Sequence, residues 1–315
     1  MLNALQIFSG RAHPRLAKEV CEVLGVAVGR SEVIKFTNDN SFVRINESVR
    51  EADVFVIQPS CYPVNDGLME LLIMIDALKR ASIKRITAVV PYFPYSRSDK
   101  KDQPRISITA RLVADLLEVA GVERIISLDL HAPQIQGFFS IPVDHLTAVP
   151  MLASYFVDKK LDNMVVVAPD AGRAKMARQF AKRLHCPMAI IDKRRLGNEE
   201  QVVMENVIGD VGGKNCLLVD DEISSGSSLV SAANTLEKFK ALDIYAAVTH
   251  PILSGMAPQR IASSPLKELV VTNSVPVPEE KRNAKIKVLS VAPLIGEAIR
   301  CIHNGVSIST VFEKE

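Results

Sequence analysis

Short apolar runs alternate with amphipathic helical stretches along almost the whole of this 315-residue chain. Val54–Gln58 is short and mostly apolar, the pattern of a buried strand. Asp66–Arg80 follows, with Leu68, Leu71, Leu72, Ile75 and Leu78 spaced i, i+3, i+4, i+7 and i+10 along one helical face. Arg85–Pro91 reads as the next strand, Ile108–Ala120 as a helix and Arg124–Leu130 as a third strand. The second half keeps the rhythm. Strands are predicted at Met164–Ala168, Met188–Ile191, Cys216–Val219, Ile244–Val248, Leu269–Thr272 and Ile286–Val291, and helices at Arg173–Leu184, Ser227–Phe239 and Pro293–His303. Continuous apolar strands separated by helices predict an α/β fold whose parallel sheets are covered on both faces. Two such series predict two similarly built domains, 1–147 and 148–315, with Thr147–Asp162 as the junction, although no Pro/Gly/Ser-rich linker marks it.

Composition narrows the partners. Net charge is +2, from 38 basic and 36 acidic residues, too balanced for a protein that grips duplex nucleic acid. There is no tryptophan and aromatics are 5%, which argues against stacking platforms for single strands. The longest apolar stretch, Leu71–Ile75, is bounded by Glu70 and Asp76, far short of the ~20 apolar residues of a membrane span. The opening residues reach Arg11 without the apolar block of a secretory leader. Five scattered cysteines (Cys21, Cys61, Cys186, Cys216, Cys301) show no CxxC pair and read as reduced, mostly core, thiols. The expectation is a cytoplasmic protein with neither nucleic-acid nor membrane partners.

In open parallel sheets ligands sit beyond the carboxyl ends of the strands, so polar residues just after strands are the ones to weigh. The strongest such segment is Cys216–Leu236, CLLVDDEISSGSSLVSAANTL. An apolar strand runs into Asp220 and Asp221, then into the small residues Ser224, Ser225, Gly226, Ser227 and Ser228, then into a helix. Small residues let backbone N–H groups approach a phosphate, hydroxyls add donors, and the helix presents its positive end. Paired aspartates suit the vicinal hydroxyls of a sugar, directly or through Mg²⁺. An Asp/Ser cap on an ordinary βα turn shares part of this pattern. Three further segments carry weaker signals. Pro169–Gly172 (PDAG) opens a helix and suits a pyrophosphate, a metal on Asp170, or a plain cap. Asp129 and His131 flank the predicted end of a strand, with side chains expected on one side. Asp192–Asn198 (DKRRLGN) puts three consecutive cations in what reads as a mobile loop, a lid for a phosphorus transition state or a solvated surface loop.

The Cys216–Leu236 segment resembles the phosphoribosyl pyrophosphate motif of the type I phosphoribosyltransferase fold. The stretches IFSG (7–10), INESVR (45–50), NDGLMELLIMIDALKRAS (65–82), PYFPYSRSDKKD (91–102), LDLHAPQIQGFFSIPVDHL (128–146), APDAGRAKMA (168–177) and IRCIHNGVSIST (299–310) extend the likeness over the chain, to the ribose-phosphate pyrophosphokinase family. The resemblance implies two type I phosphoribosyltransferase-like domains, with the last helix, about 293–315, packing on the first. It implies transfer of the β,γ-pyrophosphoryl group of MgATP to the 1-hydroxyl of ribose 5-phosphate, giving phosphoribosyl pyrophosphate and AMP. Asp220, Asp221 and Ser224–Ser228 would hold ribose 5-phosphate, and Lys193, Arg195 and His131 would be catalytic. Phe36, Asn38, Asn40, Arg97, Ser98 and Asp102 would bind ATP, and Mg²⁺ would sit with Asp129, His131 and Asp170. Ser48, Arg50, Arg105, Gln136, Ser307 and Ser309 would form an effector site for phosphate or ADP, in a homohexamer of dimers.

The chain departs from the family pattern at several places. Ser224 stands where the loop usually has a third acid, Asn40 replaces an acid of the adenine segment, and Arg173 replaces a glycine of PDAGG. Pro133 and His145 replace polar residues of the effector segments. Two other readings stay open on these changes: a non-catalytic regulatory homologue, and a phosphoribosyltransferase that consumes phosphoribosyl pyrophosphate.

Overall fold

The computed structural model describes residues 4–195 and 203–309, with the backbone alone at 193–195 and 203–205. The described residues form two compact units, one of 1–147, 274–276 and 290–315, the other of 148–273 and 277–289.

In the first unit β1 (Leu5–Ser9) leads to α1 (Pro14–Leu24) and then to an antiparallel hairpin, β2 (Ser31–Lys35) and β3 (Ser41–Ile45). The sequence reading passed over this hairpin, although its apolar–polar alternation around Asn38–Asn40 is a period-two signal. The chain continues through β4 (Asp53–Ile57), α2 (Val64–Arg80), β5 (Arg85–Val89), α3 (Thr109–Ala120), β6 (Arg124–Leu128) and β7 (Val143–Leu146). The sheet order is β1-β4-β5-β6-β7, parallel throughout. All five residues of β4 are buried, which explains why it reads as an unbroken apolar run. Helix α2 carries Asp66 in its first turn and Lys79 and Arg80 in its last, complementing the helix dipole. It buries Leu71, Met74, Ile75 and Leu78, while Leu68 and Leu72 lie half-buried at the edge of that stripe.

The second unit opens with α4 (Val149–Asp158), so the segment read as a junction is largely helix, with Pro150 in its first turn. It continues with β8 (Met164–Ala168), α5 (Ala174–Arg183), β9 (Met188–Arg195), β10 (Val203–Ile208), β11 (Asn215–Ile223), α6 (Ser227–Lys238), β12 (Ile244–Pro251), α7 (Ala257–Ser263), β13 (Leu266–Thr272) and β14 (Ile286–Leu289). The order is β10-β9-β8-β11-β12-β13-β14, parallel except for the β9–β10 pair. The α/β class with mostly parallel, helix-flanked sheets is as expected. One expectation needs correction: Asp192–Arg195 is strand, because it pairs residue for residue with β10, Asp192 opposite Asn206 and Arg195 opposite Val203. Residues 196–198 of that expected loop lie outside the described residues.

The chain ends in the first unit with α8 (Ala292–His303), packed on α1. Gly296 allows the close approach, since a Cβ there would meet Val23 Cγ1 at 2.8 Å. Beneath the end of α8, the buried Asp53 carboxylate accepts from Arg85 Nε at 2.8 Å and lies 2.8 Å from His303 Nδ1. Arg85 Nη2 also donates to the Ile302 carbonyl at 3.2 Å, tying strand and helix together. Cys21 and Cys216 are core residues whose thiols burial pushes up to about 11 and about 12.

Candidate functional site

Strand β11 runs four residues past its predicted end and carries Asp220 and Asp221 within it. Its ladder to β12 continues through Glu222–His250 and Ile223–Pro251, whereas the ladder to β8 stops at Leu218–Val167. The two aspartates therefore have a strand on one side only. The turn that follows β8 places Arg173 at the other.

Arg173 Nε lies 2.9 Å from Asp220 Oδ1 and its Nη2 lies 2.8 Å from Asp221 Oδ1. The same oxygens accept backbone N–H groups, Asp220 Oδ1 from Asp221 and Asp221 Oδ1 from Glu222, each at 2.9 Å. Asp221 is buried, its side chain only 3% exposed. Burial and the adjacent Asp221 carboxyl push Asp220 well above the usual carboxylate range, and Arg173 opposes that rise.

The loop Ser224–Ser228 turns on Gly226, whose φ of 75° is the left-handed conformation that favours glycine and which caps α6. The Ser224 and Ser254 hydroxyls lie 3.0 Å apart, and Ser254 N donates to the Ser224 carbonyl at 3.0 Å. The Ser225 and Ser227 hydroxyls pair at 2.9 Å, and Ser225, Ser227 and Ser228 are exposed. A helix start leaves its first N–H groups without helical acceptors, so this end of α6 offers donors to an anion.

Asp170, at the end of the β8 loop, is exposed and caps the next turn, its Oδ1 accepting from Arg173 N at 3.2 Å. The plain-cap reading of that acid is thus realised, with the rest of its carboxylate facing outward. Of the cationic segment, Lys193 and Arg195 occupy β9, and their side chains lie outside the described residues.

In the first unit, Phe36–Asn40 is the tip of the β2–β3 hairpin, closed by Phe36 N to the Asn40 carbonyl at 2.8 Å. Phe36 is half exposed and packs at 5.8 Å on Phe42. Asn38 Oδ1 accepts from Asn40 N at 3.3 Å. Arg97 and Asp102 are exposed on the irregular segment before α3. The Ser98 hydroxyl bonds to the Ser107 carbonyl at 3.3 Å and Thr109 Oγ1 at 3.2 Å, so it tethers the start of α3. Asp129 and His131 do not alternate from one strand as expected. Strand β6 ends at Leu128, and Asp129 is buried with φ 36°, which breaks the period-two alternation.

Ser48, Arg50 and Arg105 are exposed, and the Ser307 and Ser309 hydroxyls pair at 2.7 Å. Gln136 Nε2 donates to the Pro133 carbonyl at 2.8 Å and meets His145 Nδ1 at 3.2 Å, while His145 Nε2 accepts from Leu130 N. Two residues at the loop were missed. Ser254 supports Ser224, and Arg260 Nη1 donates to the Ser225 carbonyl at 2.8 Å. Both follow the carboxyl end of β12, the position the parallel-sheet rule singles out. Their distance in sequence from the loop hid them.

Parallel sheets in both units, and a small-residue loop joining an acidic strand end to a helix, define the phosphoribosyltransferase-like fold. Residues 5–121 match the N-terminal domain of ribose phosphate pyrophosphokinase, and residues 201–313 match the phosphoribosyl synthetase-associated domain. Ribose-phosphate pyrophosphokinase of Caldanaerobacter subterraneus subsp. tengcongensis is 55% identical over 311 residues, 98% of each chain. That of Bacillus subtilis is 50% identical over 98% of this chain and 97% of its own. The crystal structure of phosphoribosylpyrophosphate synthetase from Mycobacterium smegmatis matches at 48% identity with a TM-score of 0.92, over 96% of this chain and 100% of that one. The chain belongs to the ribose-phosphate pyrophosphokinase family, and is an enzyme.

Proposed function

We propose that the protein transfers the β,γ-pyrophosphoryl group of MgATP to the 1-hydroxyl of ribose 5-phosphate, yielding phosphoribosyl pyrophosphate and AMP. The observation that carries this reading is the loop after β11, where two carboxylates precede exposed hydroxyls and a helix start. Asp220 and Asp221 accept the ribose hydroxyls, and Ser225–Ser228, with Ser224 at the loop's entry, cradle the 5-phosphate. Arg260, bonded to this loop, adds a positive charge beside it. Phe36, Asn38, Asn40, Arg97 and Asp102 are assigned to ATP. Ser98 is assigned to positioning that segment, because its hydroxyl is engaged at the start of α3.

The exposed carboxylate of Asp170 offers the oxygen ligands Mg²⁺ prefers, and Asp129 and His131 are the donors assigned in the first unit. Bound Mg²⁺ would neutralise the polyphosphate charge. The chain itself aligns the sugar hydroxyl, with Lys193 and Arg195 set against the charge that develops on the transferring group. Ser48, Arg50, Arg105, Gln136, Ser307 and Ser309 are assigned to phosphate or ADP as effectors.

With MgATP and ribose 5-phosphate the purified protein is expected to release AMP. A regulatory homologue would release none, and a phosphoribosyltransferase would instead consume phosphoribosyl pyrophosphate with a base. The assembly is proposed to be a hexamer of dimers in which a neighbour's Phe36–Asn40 segment completes the adenine site. Light scattering is expected to report about six times the 34.5 kDa chain mass. A fully active monomer would refute the shared site.

A further inference from the structure

We infer that Arg173 is a positioning residue for the sugar, a resident counter-cation that holds Asp220 and Asp221 ready for the ribose hydroxyls without a divalent cation between them. The inference rests on the assignment of the β11 loop to ribose 5-phosphate. Its support is the pattern of acceptors. One guanidinium spans both carboxylates, at 2.9 and 2.8 Å, and it uses the Oδ1 atom of each. Those two atoms also take the N–H groups of Asp221 and Glu222, so each Oδ1 carries two donors. A carboxylate has about four acceptor sites, two on each oxygen, so the Oδ2 edges retain the capacity to accept sugar hydroxyls. The guanidinium can stay while the sugar binds.

Two adjacent carboxylates, one of them buried, repel each other and resist ionisation unless a cation lies against them. Magnesium at the same oxygens would do this, and here the planar fork of an arginine, always charged, occupies them instead. The arginine side chain is itself only 18% exposed, which limits its freedom to swing away. Its backbone N–H, not its side chain, makes the Asp170 cap, so a substitution at 173 leaves that turn intact.

Calorimetric titration of ribose 5-phosphate into the full-length protein, in EDTA and then with Mn²⁺, tests this. Wild type is expected to bind about equally in both conditions. Arg173→Gly is expected to bind about tenfold or more weakly in EDTA, the loss of one charged partner, and to recover with Mn²⁺. Electron paramagnetic resonance should then show a bound Mn²⁺ in the substrate-free variant that wild type lacks. Equal binding by wild type and variant in EDTA overturns the inference. So does wild-type binding that EDTA abolishes, or a loss in the variant that Mn²⁺ leaves unrepaired, the mark of a merely structural role. If Arg173→Gly does not fold, Arg173→Lys, which keeps the charge and loses the fork, is expected to show a smaller loss repaired by Mn²⁺. Unchanged binding in that variant overturns the inference equally. None of these outcomes touches the loop assignment, which fails, and this inference with it, only if wild type binds no ribose 5-phosphate in either condition.

Discussion

Replacing Lys193 with alanine is expected to cut turnover by about 10²–10³-fold, the usual cost of one preorganised charge donor at a developing anion, while leaving the fold intact. The fold should survive because β9 is held by its backbone ladder. Residue 193 pairs with residue 205 through main-chain groups, and an alanine keeps them. A strand also changes the physical reading of this segment. A mobile lid would have to spend conformational entropy to bring its cations to the phosphates, whereas a paired strand has its backbone fixed before substrate arrives. The effect is therefore expected in kcat more than in the Michaelis constant for ribose 5-phosphate. Steady-state kinetics at saturating MgATP, beside a thermal melt of wild type and variant, would check it. Normal turnover in Lys193→Ala would take this residue out of the mechanism and leave Arg195 to be tested alone.

Ser224→Asp is expected to lower the Michaelis constant for ribose 5-phosphate by about tenfold or more. A carboxylate accepts a sugar hydroxyl more strongly than a neutral oxygen, and a hydrogen bond to a charged partner contributes roughly 1.5–3 kcal/mol. The surroundings of Ser224 set the terms. Its hydroxyl lies 3.0 Å from the Ser254 hydroxyl, which can rotate to donate to a new carboxylate. Against the gain stands the charge already in the loop, where burial and Asp221 make Asp220 reluctant to ionise. Arg173 offsets that repulsion, and without it a third acid would raise the proton affinity of the group further. The benefit should therefore vanish in the double variant Ser224→Asp/Arg173→Gly in EDTA and return with Mg²⁺. Weaker ribose 5-phosphate binding by Ser224→Asp at saturating Mg²⁺ would instead show a loop shaped around serine.

Most of the sheet framework was legible because parallel strands declare themselves. MVVVA at 164–168 could be read to the residue, since a strand buried on both faces must be apolar at every position. The elements passed over are those whose local signal is weak. Strand β7 reads VDHL, and it is a strand because its backbone pairs with β6 from Ile125–Val143 to Leu128–Leu146. Helix α7 has seven residues, too few to display a period. Strand β11 was cut short at Val219 because the acids that follow look like a loop. They remain strand because β12 continues beside them.

The site divides in the same way. Local chemistry determined the loop Asp220–Ser228, since acids, small residues and a helix start are contiguous in sequence and act through neighbouring backbone groups. The sequence could also mark Arg173 as out of place in its motif, but not say what it touches. That its guanidinium spans Asp220 and Asp221 depends on β8 ending one residue pair below them, a matter of register. The same holds for Ser254 and Arg260, brought to the loop by the β11–β12 pairing, and for Asp129, turned out of its strand by a left-handed backbone angle. Periodicity and composition are properties of neighbours along the chain, and so they determined the elements and the phosphate loop. Which cation meets which carboxylate is a property of neighbours across a sheet, and only the folded chain decided it.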